Sequence, residues 1–483
     1  MTDQQPGQDV NIVTLFRAAA RQRADLVALV DDAGNSLTFG QWFDRSRLIA
    51  AAIQDLVPRQ APVLVGFRNS EVLDYAATFM AVVGSAAVAV PVRLPAPRSE
   101  LDRIAALTGA KCLLSAKAVD AAVPNYTIGA LTEGAEPADL IEKLDWSESA
   151  QILFSSGTSG LPTAIVVPHG NLAWNQKPPS ATQRSRQLLL HSYPLGTSAF
   201  QTQFMRSITH DFKVRVLSVF DPKKVLRILG SENVTTVLFT PAMINILSDV
   251  ISEDDVFPSV ESVGATGSFM KPGQYELLKR VFPSAEIITS YGSTEASPAS
   301  TSRRFDPSRP LNVGVVNPGC AIKITNDLGE ELPAGEPGTI WLSALGAPAR
   351  RYMDEQLNQH RFDGHWIRMG DIGHLEEDGS LVLTGRPTDV ISVGGLKVSG
   401  PEVESVLSRH PAVRDIAVFA QPHPLLGEQV AAEVVPRFPV EERDIIAFAR
   451  QNLAQHKVPA VVLFVDEIER NAMGKIPVRR QDR

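Results

Sequence analysis

A short loop rich in glycine and hydroxylated residues offers the first chemistry that this chain could perform. The loop follows the apolar segment 151–154. It reads Ser155, Ser156, Gly157, Thr158, Ser159 and Gly160. Glycine has no Cβ and can adopt positive φ, so the backbone N–H groups of such a loop can approach an anion. Nucleotide phosphates suit that arrangement, although the Walker pattern G-x-x-x-x-G-K-[ST] does not occur in the sequence. In isolation, a surface turn would look the same.

Three further segments, at 289–296, 368–371 and 471–476, carry residues of the types that nucleotide chemistry needs. In chain order, they contain Tyr291, Gly292, Thr294, Glu295, Asp371 and Lys475. Together with the first loop, and in this order, they resemble the adenylate-forming superfamily. That family comprises acyl- and aryl-CoA ligases, adenylation domains of peptide synthetases, luciferases and amide bond synthetases. Four ordered motifs are specific, whereas any one of them alone is not.

The resemblance implies ATP and Mg²⁺ as cofactors and gives each motif a role. The loop 155–160 would cradle the triphosphate. Tyr291, followed by Gly292, would stack on adenine, and Thr294 would bond a phosphate oxygen. Glu295 would ligate Mg²⁺, a hard cation for which one carboxylate together with phosphates and waters is sufficient.

Two more positions complete the implied nucleotide site, and one lysine completes the catalytic set. Asp371 would accept hydrogen bonds from the ribose hydroxyls, and Arg386 would also reach the nucleotide. Lys475 would contact the acyl carboxylate and the α-phosphate, a role that suits a compact point charge on a flexible stem. The implied catalytic residues are therefore Lys475, Thr294 and Glu295.

The chain departs from the family pattern at three positions. Thr163 replaces the lysine of the usual G-x-P-K-G, so weaker pyrophosphate affinity is expected unless that lysine is dispensable. Thr197 stands in a segment that reads Pro-Leu-Phe-His in many CoA ligases. Thr388 occupies a hinge position that is commonly Asp or Lys, but a hinge needs only to absorb changes in φ and ψ.

The segment that would line the acyl pocket restricts the choice of acid. Residues 193–203 contain no acidic side chain to anchor an ammonium group, so an acyl or aryl carboxylic acid is expected rather than an α-amino acid. The implied acyl pocket consists of Thr197, Gly264, Ala265, Thr266 and Gly267. A wall of such small residues would admit an aromatic ring.

Composition excludes several other classes of protein. The net charge of −8 and the pI of about 5.7 argue against general nucleic-acid binding, since no basic stretch could neutralise a phosphate backbone. Two cysteines are too few for a disulfide framework or a tetrahedral zinc site. Segment 1–11 shows no signal-peptide pattern, and the apolar segment 75–92 is interrupted by Gly84. We therefore expect a cytoplasmic protein without a membrane partner, with 75–92 forming a buried helix, a turn and a buried strand.

The elements that must position the motifs form an α/β pattern. Short apolar strands separated by helical segments predict mainly parallel sheets. Strands are expected at 62–67, 86–90, 237–239 and 286–289. A helix is expected over 70–83, with Asn69 as its cap. Ligands bind at the carboxyl ends of strands in open parallel sheets, and both the Ser155 loop and the Tyr291 loop directly follow strands.

The pattern changes twice towards the C-terminus. Residues 311–383 alternate between short strands and turn signals, which predicts a small β-rich subdomain. Beyond it, helices are expected over 401–408 and 441–453, and strands over 416–419, 429–435 and 461–465. The resemblance implies a large N-terminal adenylate-forming domain over 1–385, a hinge over 386–389 and a small mobile α+β domain over 390–483.

The leading interpretation is an ATP-dependent carboxylic-acid ligase. It would form an acyl-adenylate, release pyrophosphate and pass the acyl group to a thiol of CoA or of a carrier protein. One alternative is an amide bond synthetase of secondary metabolism, in which an amine attacks the adenylate. Another is a catalytically silent homologue that binds nucleotide and partners, in which case no acid would support pyrophosphate exchange. A redox dehydrogenase is disfavoured because no G-x-G-x-x-G is present.

Overall fold

The computed structural model of the protein describes residues 10–155, 163–177, 187–210, 212–386 and 390–470. Over these residues the chain forms three sheets flanked by helices, which confirms the expected α/β class. The first part of the chain contains α1 Ile12–Gln22, β1 Val27–Val30, β2 Ser36–Thr38, α2 Phe39–Leu56, β3 Pro62–Phe67, α3 Val72–Gly84, β4 Val88–Arg93, α4 Arg98–Thr108, β5 Leu113–Ser115, β6 Asn125–Thr127, α5 Ile128–Thr132 and β7 Ser149–Ser155.

The second part supplies most of the parallel strands. It contains β8 Thr163–Pro168, α6 His169–Ala173, β9 Gln187–His191, α7 Ser198–Thr209, β10 Phe212–Val216, α8 Pro222–Ser231, β11 Val234–Phe239, α9 Pro241–Ser248, β12 Ser262–Ala265, α10 Pro272–Val281 and β13 Glu286–Tyr291. The strands predicted at 237–239 and 286–289 are therefore confirmed as parts of β11 and β13.

The third part is rich in strands, as the pattern over 311–383 predicts. It contains β14 Thr301–Arg304, β15 Asn312–Val316, β16 Cys320–Thr325, β17 Gly338–Ala344, β18 Arg351–Tyr352, α11 Glu355–Arg361, β19 Phe362–Asp363, β20 Trp366–Leu375 and β21 Leu381–Gly385. The last part contains β22 Val390–Val393, β23 Leu396–Ser399, α12 Gly400–Leu407, β24 Val413–His423, β25 Gly427–Pro436, α13 Glu442–Asn452 and β26 Val461–Phe464.

The first sheet has seven strands in the order β18-β8-β7-β4-β3-β5-β6. The strands from β7 to β6 are parallel, and β8 and β18 extend the sheet in antiparallel pairing. Helix α3 packs beside it and is apolar on nearly every face, so almost all of its side chains are buried. No helix among the described residues is long and apolar enough to cross a membrane. Segment 75–92 forms most of α3, a turn and most of β4, which are the helix, turn and strand that its sequence predicts.

The predicted role of Asn69 as a helix cap is wrong. Residues 69–71 form a short 3₁₀ turn, and α3 begins only at Val72. The Asn69 side chain instead donates a hydrogen bond to the Tyr193 carbonyl and accepts one from the Leu195 N–H, at 3.1 and 2.9 Å. Asn69 thus ties the first sheet to the loop after β9, a long-range contact that local sequence does not show.

The long sheet runs in the order β16-β17-β20-β21-β15-β14-β13-β12-β11-β9-β10-β1-β2, with β19 beside β20. Six consecutive strands of it, from β13 to β1, are parallel, and the β-rich part beyond β13 is antiparallel. A separate five-stranded sheet, β23-β22-β25-β24 with β26 beside β25, forms the C-terminal unit. The predicted pairing of 416–419 with 429–435 is confirmed in the antiparallel pair β24–β25.

Candidate active site

One continuous cavity of about 2590 Å³ lies against the long sheet. Residues at the carboxyl ends of β11, β12 and β13 line it, together with one face of α7, part of β20 and residues of β24 from the C-terminal unit. A pocket for one small molecule usually measures about 300–1,000 Å³. The cavity therefore has room for several ligands beside one another.

Three of the predicted nucleotide residues meet in this cavity. Tyr291 ends β13, Asp371 lies on β20, and Arg386 directly follows β21. The Tyr291 hydroxyl donates a hydrogen bond to Asp371 Oδ2 at 2.7 Å, and Arg386 Nε donates to Asp371 Oδ1 at 3.1 Å. Burial and the adjacent carboxylate of Asp371 raise the pKa of Tyr291 well above its ordinary value, so the phenol keeps its proton.

Glu295 is the second carboxylate of the cavity, with only 7% of its surface exposed. Its Oε1 accepts a hydrogen bond from the Tyr352 hydroxyl at 2.8 Å and lies 3.7 Å from Arg361 Nη2. Burial alone would raise the pKa of Glu295. The Arg361 cation and the hydrogen bonds outweigh burial and hold that pKa below its ordinary value, so the carboxylate is charged.

Arg361 occupies the space between Glu295 and the main chain of Gly370. Gly370 has φ of 80°, and a Cβ there would lie 2.9 Å from Arg361 Nη1. Within the described ranges, the buried Nε of Arg361 has no hydrogen-bond acceptor. We call the residues Tyr291, Glu295, Tyr352, Arg361, Asp371 and Arg386 the cavity cluster.

Arg350 supports the cavity cluster from behind. It is 5% exposed, and its Nη1 donates to the Thr294 carbonyl at 2.7 Å. Its other bonds reach Asn171 Oδ1 and Ser297 Oγ, both at 2.9 Å, and Ser198 Oγ at 3.2 Å. Burial lowers the pKa of Arg350 to about 9. This side chain therefore fixes the main chain at Thr294 against the starts of α6 and α7.

All the predicted acyl-pocket residues line the same cavity. They are Thr197, Gly264, Ala265, Thr266 and Gly267. The Thr197 hydroxyl caps α7, because it accepts from the Phe200 N–H at 3.2 Å while donating to the Pro194 carbonyl at 2.7 Å. On β12, a Cβ at Gly264 would lie 2.5 Å from Leu238 Cδ2, so glycine keeps this wall flat.

Several predicted site residues cannot be placed beside these. Ser156, Gly157, Thr158, Ser159, Gly160, Thr388 and Lys475 lie outside the described residues. The backbone of Ser155 ends β7 and pairs with Thr163, the first residue of β8. Thr163 lines the cavity, so the pair of Ser155 and Thr163 lies at the cavity wall.

Arg350, Tyr352 and Arg361 belong to the site, but no sequence motif predicts them. Residues 350–352 read Arg-Arg-Tyr at the edge of a turn, which resembles an exposed charged strand. One feature of the sequence could have indicated that Arg350 is buried, namely that it follows the weakly polar run 346–349. If that segment packs against the rest of the protein, its arginine needs buried hydrogen-bond acceptors.

A second group of charges joins the long sheet to the C-terminal unit. Lys271 precedes α10, and its Nζ bonds to Asp415 Oδ1 on β24. Arg470 Nη2 bonds to the other oxygen, Asp415 Oδ2, at 2.8 Å. Glu404 on α12 lies beside them and accepts from the Val418 N–H at 2.8 Å, and burial raises its pKa to about 7. We call Lys271, Glu404, Asp415 and Arg470 the interface cluster.

The described part of the chain contains no group of three or more His, Cys, Asp or Glu side chains that could hold a metal ion. A cation at this cavity would therefore need oxygen ligands from a bound molecule in addition to Glu295.

Two family models match the chain. Residues 15–352 match the AMP-binding enzyme model, and residues 402–475 match the AMP-binding enzyme C-terminal domain. The first match alone covers more than half of the chain.

Relatives and solved structures of similar length agree with these matches. The chain is 28% identical to 4-coumarate–CoA ligase-like 9 of Oryza sativa subsp. japonica, over 96% of this chain and 90% of that protein. It is 29% identical to the medium-chain fatty-acid–CoA ligase of Escherichia coli, over 68% and 60% of the two chains. Its fold resembles that of o-succinylbenzoate CoA synthetase from Bacillus subtilis in complex with its acyl-adenylate, with a TM-score of 0.83, 22% identity and coverage of 97% and 98%.

Proposed function

The chain belongs to the AMP-binding enzyme family and is an ATP-dependent, AMP-forming ligase of carboxylic acids; on this premise we propose that its cavity hosts both half-reactions. In the first, a carboxylate oxygen of the acid attacks the α-phosphorus of ATP, and pyrophosphate leaves. In the second, the sulfur of the CoA thiol attacks the acyl carbon, AMP leaves with the bonding electron pair, and the thiol proton passes to solvent.

The observation that carries this assignment is the hydrogen-bonded set of Tyr291, Asp371 and Arg386 in one cavity with Glu295. We assign adenine stacking to Tyr291, the ribose hydroxyls to Asp371 and a further nucleotide contact to Arg386. Carboxylate oxygens accept hydrogen bonds from vicinal hydroxyls, which supports the ribose assignment.

The triphosphate would lie between the loops that flank this set. We assign its contacts to the Ser155–Gly160 loop, to Gly292 and to the Thr294 hydroxyl. The Arg350 bond to the Thr294 carbonyl supports this assignment, because a phosphate-binding loop must be held in one conformation. Thr163 lines the cavity at the family's lysine position and offers a hydroxyl instead of a charge.

Mg²⁺ fits the chemistry of Glu295. A lowered pKa keeps this carboxylate charged, and Mg²⁺ prefers one or two carboxylates together with phosphates and waters. When bound, Mg²⁺ would supply positive charge to the phosphate oxygens. Arg361, 3.7 Å from Glu295, would share that role.

The acid would lie along the wall from Thr197 to Gly264 and Gly267. The small side chains of that wall support a flat acyl or aryl group, and the cavity floor at Gly264 offers no Cβ to obstruct a ring. A panel in which only long-chain fatty acids are adenylated would contradict the aryl assignment.

Lys475 is assigned the contact with the acyl carboxylate and the α-phosphate. We expect Lys475→Ala to abolish adenylation while ATP binding, measured by calorimetry, stays nearly unchanged. The hinge over 386–389 and the mobility of the domain beyond it belong to the same proposal, since Lys475 must reach the cavity from that domain.

A mass-spectrometric product screen tests the proposal. The enzyme receives ATP, Mg²⁺ and a panel of aryl and aliphatic acids, with CoA in one set and simple amines in the other. Acyl-CoA products would establish CoA as the acceptor and would name the acid. Acyl-adenylate alone would indicate a carrier protein.

The same screen tests the amide bond synthetase alternative. Thr163 and Thr197 favour this specialised role, because both line the cavity at positions where the family pattern has another residue. Amides formed without CoA thioesters would identify the protein as an amide bond synthetase of secondary metabolism. If no acid gives a product, the remaining interpretation is a catalytically silent homologue that binds nucleotide.

A further inference from the structure

Helix α7 separates the protein core from the cavity. Its face with Phe200, Phe204 and Ile208 packs into the core. The side chains that line the cavity include Ala199, Gln203 and Arg206. Spacings of four and three residues place these three on one face of the helix.

That face extends away from the end of the sheet at which the predicted nucleotide residues lie. Helix α7 returns antiparallel to β9, since it follows the carboxyl end of β9 and precedes Phe212, which pairs with Gln187 at the start of β9. Seven residues separate Ala199 from Arg206, which corresponds to roughly 10 Å along a helix. Arg206 therefore lies at the end of this α7 face that is farthest from Thr197, where the wall proposed for the acid begins.

The Arg206 guanidinium has few partners. Its Nη1 donates to Gln203 Oε1 at 3.3 Å, and its Cζ lies 5.0 Å from the centre of the Phe212 ring. In the described part of the chain no carboxylate pairs with it, and burial lowers the pKa of Arg206 below its ordinary value. A guanidinium has five N–H donors, and one weak bond leaves most of them available to a ligand.

Seven acidic residues among the described ones line the cavity, and none of them forms an ion pair with Arg206: Glu261, Glu286, Glu295, Asp371, Glu404, Asp415 and Glu428. Glu286 is paired with Arg304. Glu261 precedes β12, and β12 is three strand spacings from β10, or about 14 Å. Neither carboxylate forms an ion pair with Arg206.

We propose that Arg206 binds a second anionic group of the acid, so that extended dicarboxylic acids are the preferred substrate class; this inference rests on the proposed ligase function. The planar guanidinium binds a carboxylate through two parallel hydrogen bonds, and its reduced contact with water strengthens them. The amide of Gln203 adds a donor beside it.

Matched acids test the proposal in the full-length enzyme. The rate of pyrophosphate release is measured for 4-carboxycinnamate against 4-methylcinnamate, and for suberate against octanoate. We expect kcat/KM to favour the dicarboxylate by roughly 10- to 100-fold, the range that one charged hydrogen-bonded contact supplies. Arg206→Gln should remove that preference by lowering kcat/KM for the dicarboxylates, and Arg206→Lys should restore part of it.

Arg103→Gln, on the exposed side of α4, is the control and should leave both ratios unchanged. Calorimetric binding of the dicarboxylates in the absence of ATP gives a readout independent of turnover. Equal ratios in the wild type and Arg206→Gln would overturn the assignment of Arg206. If monoacids are adenylated and dicarboxylates are not favoured, only this inference fails. If no acid is adenylated, the ligase proposal fails with it.

Discussion

The cavity cluster and the interface cluster each contain a carboxylate beside cations, but the partners on the carboxylate oxygens differ. Asp415 of the interface cluster has a cation on each oxygen, Lys271 on one and Arg470 on the other. Glu295 of the cavity cluster has a phenol at 2.8 Å and a guanidinium at 3.7 Å. A carboxylate matched by two cations within the protein has little left to offer a ligand, whereas Glu295 keeps acceptor capacity and charge. A structural carboxylate thus differs from a ligand-binding one in how completely the protein's own cations and donors pair with it.

The largest effect should come from removing the support behind the cavity cluster. Arg350→Ala removes four hydrogen bonds and leaves buried acceptors without partners, so we expect the free energy of unfolding to fall by about 4 kcal/mol. Urea denaturation measures this. Arg304→Ala, at a side chain that is 76% exposed, is the control and should cost less than about 1 kcal/mol. Similar losses in the two variants would contradict the supporting role.

Neutralising one carboxylate of each cluster, Asp415 and Asp371, tests whether the two clusters differ in how their carboxylates are paired within the protein. Asp415→Asn leaves Lys271 and Arg470 facing each other with little water, and we expect a loss of about 3 kcal/mol in unfolding free energy. Asp371→Asn should cost about 1 kcal/mol, because Arg386 is 40% exposed and can turn to solvent. Equal losses, measured under the same conditions, would show that the two clusters are satisfied alike.

The interface cluster should also impose a pH dependence. Burial raises the pKa of Glu404 to about 7 from 4.5, against the opposing effect of Lys271 and Arg470 and with a small addition from Asp415. A raised pKa means that the folded state binds the proton more tightly, so this contribution is complete below pH 4.5 and is lost as pH rises through about 7. Relative to Glu404→Gln, the wild type should therefore lose about 3 kcal/mol of unfolding free energy over that interval. If the unfolding free energies of the two proteins change in parallel with pH, this expectation is contradicted.

The smallest effect should come from an exposed pair between the same two units. Arg414 lies 3.8 Å from Asp249, and their side chains are 39% and 46% exposed. Arg414→Ala should change the melting temperature very little, corresponding to less than about 0.5 kcal/mol. A loss as large as that of Asp415→Asn would mean that burial does not distinguish the pairs.

The sequence predicts well the features that depend on local pattern. Strand β3, the helix–turn–strand segment over 75–92 and the β24–β25 pair follow from apolar runs and turn residues, and the structure confirms them. Tyr291 and Asp371 could be expected near each other because they belong to two motifs of the same ordered set. Tyr291 lies at the end of a strand, and Asp371 lies within one.

What the sequence does not predict depends on contacts between distant segments. Arg350 is distinguished from its neighbour Arg351 only by acceptors contributed from α6, α7 and the Thr294 loop. Asn69 has the chemistry of a helix cap, but its partners lie more than a hundred residues away, in the loop after β9. Long-range hydrogen bonds override local propensity at both positions.

Gly370 bears on how this protein can change by mutation. Its φ of 80° excludes most side chains, and a Cβ would also press on Arg361 Nη1 at 2.9 Å. A single substitution at 370 is therefore opposed twice, once by the backbone and once by a neighbour that is itself paired with Glu295. A shift of the Arg361 head group could relieve the second obstacle but not the first, so the residue before Asp371 should be among the slowest in the chain to change.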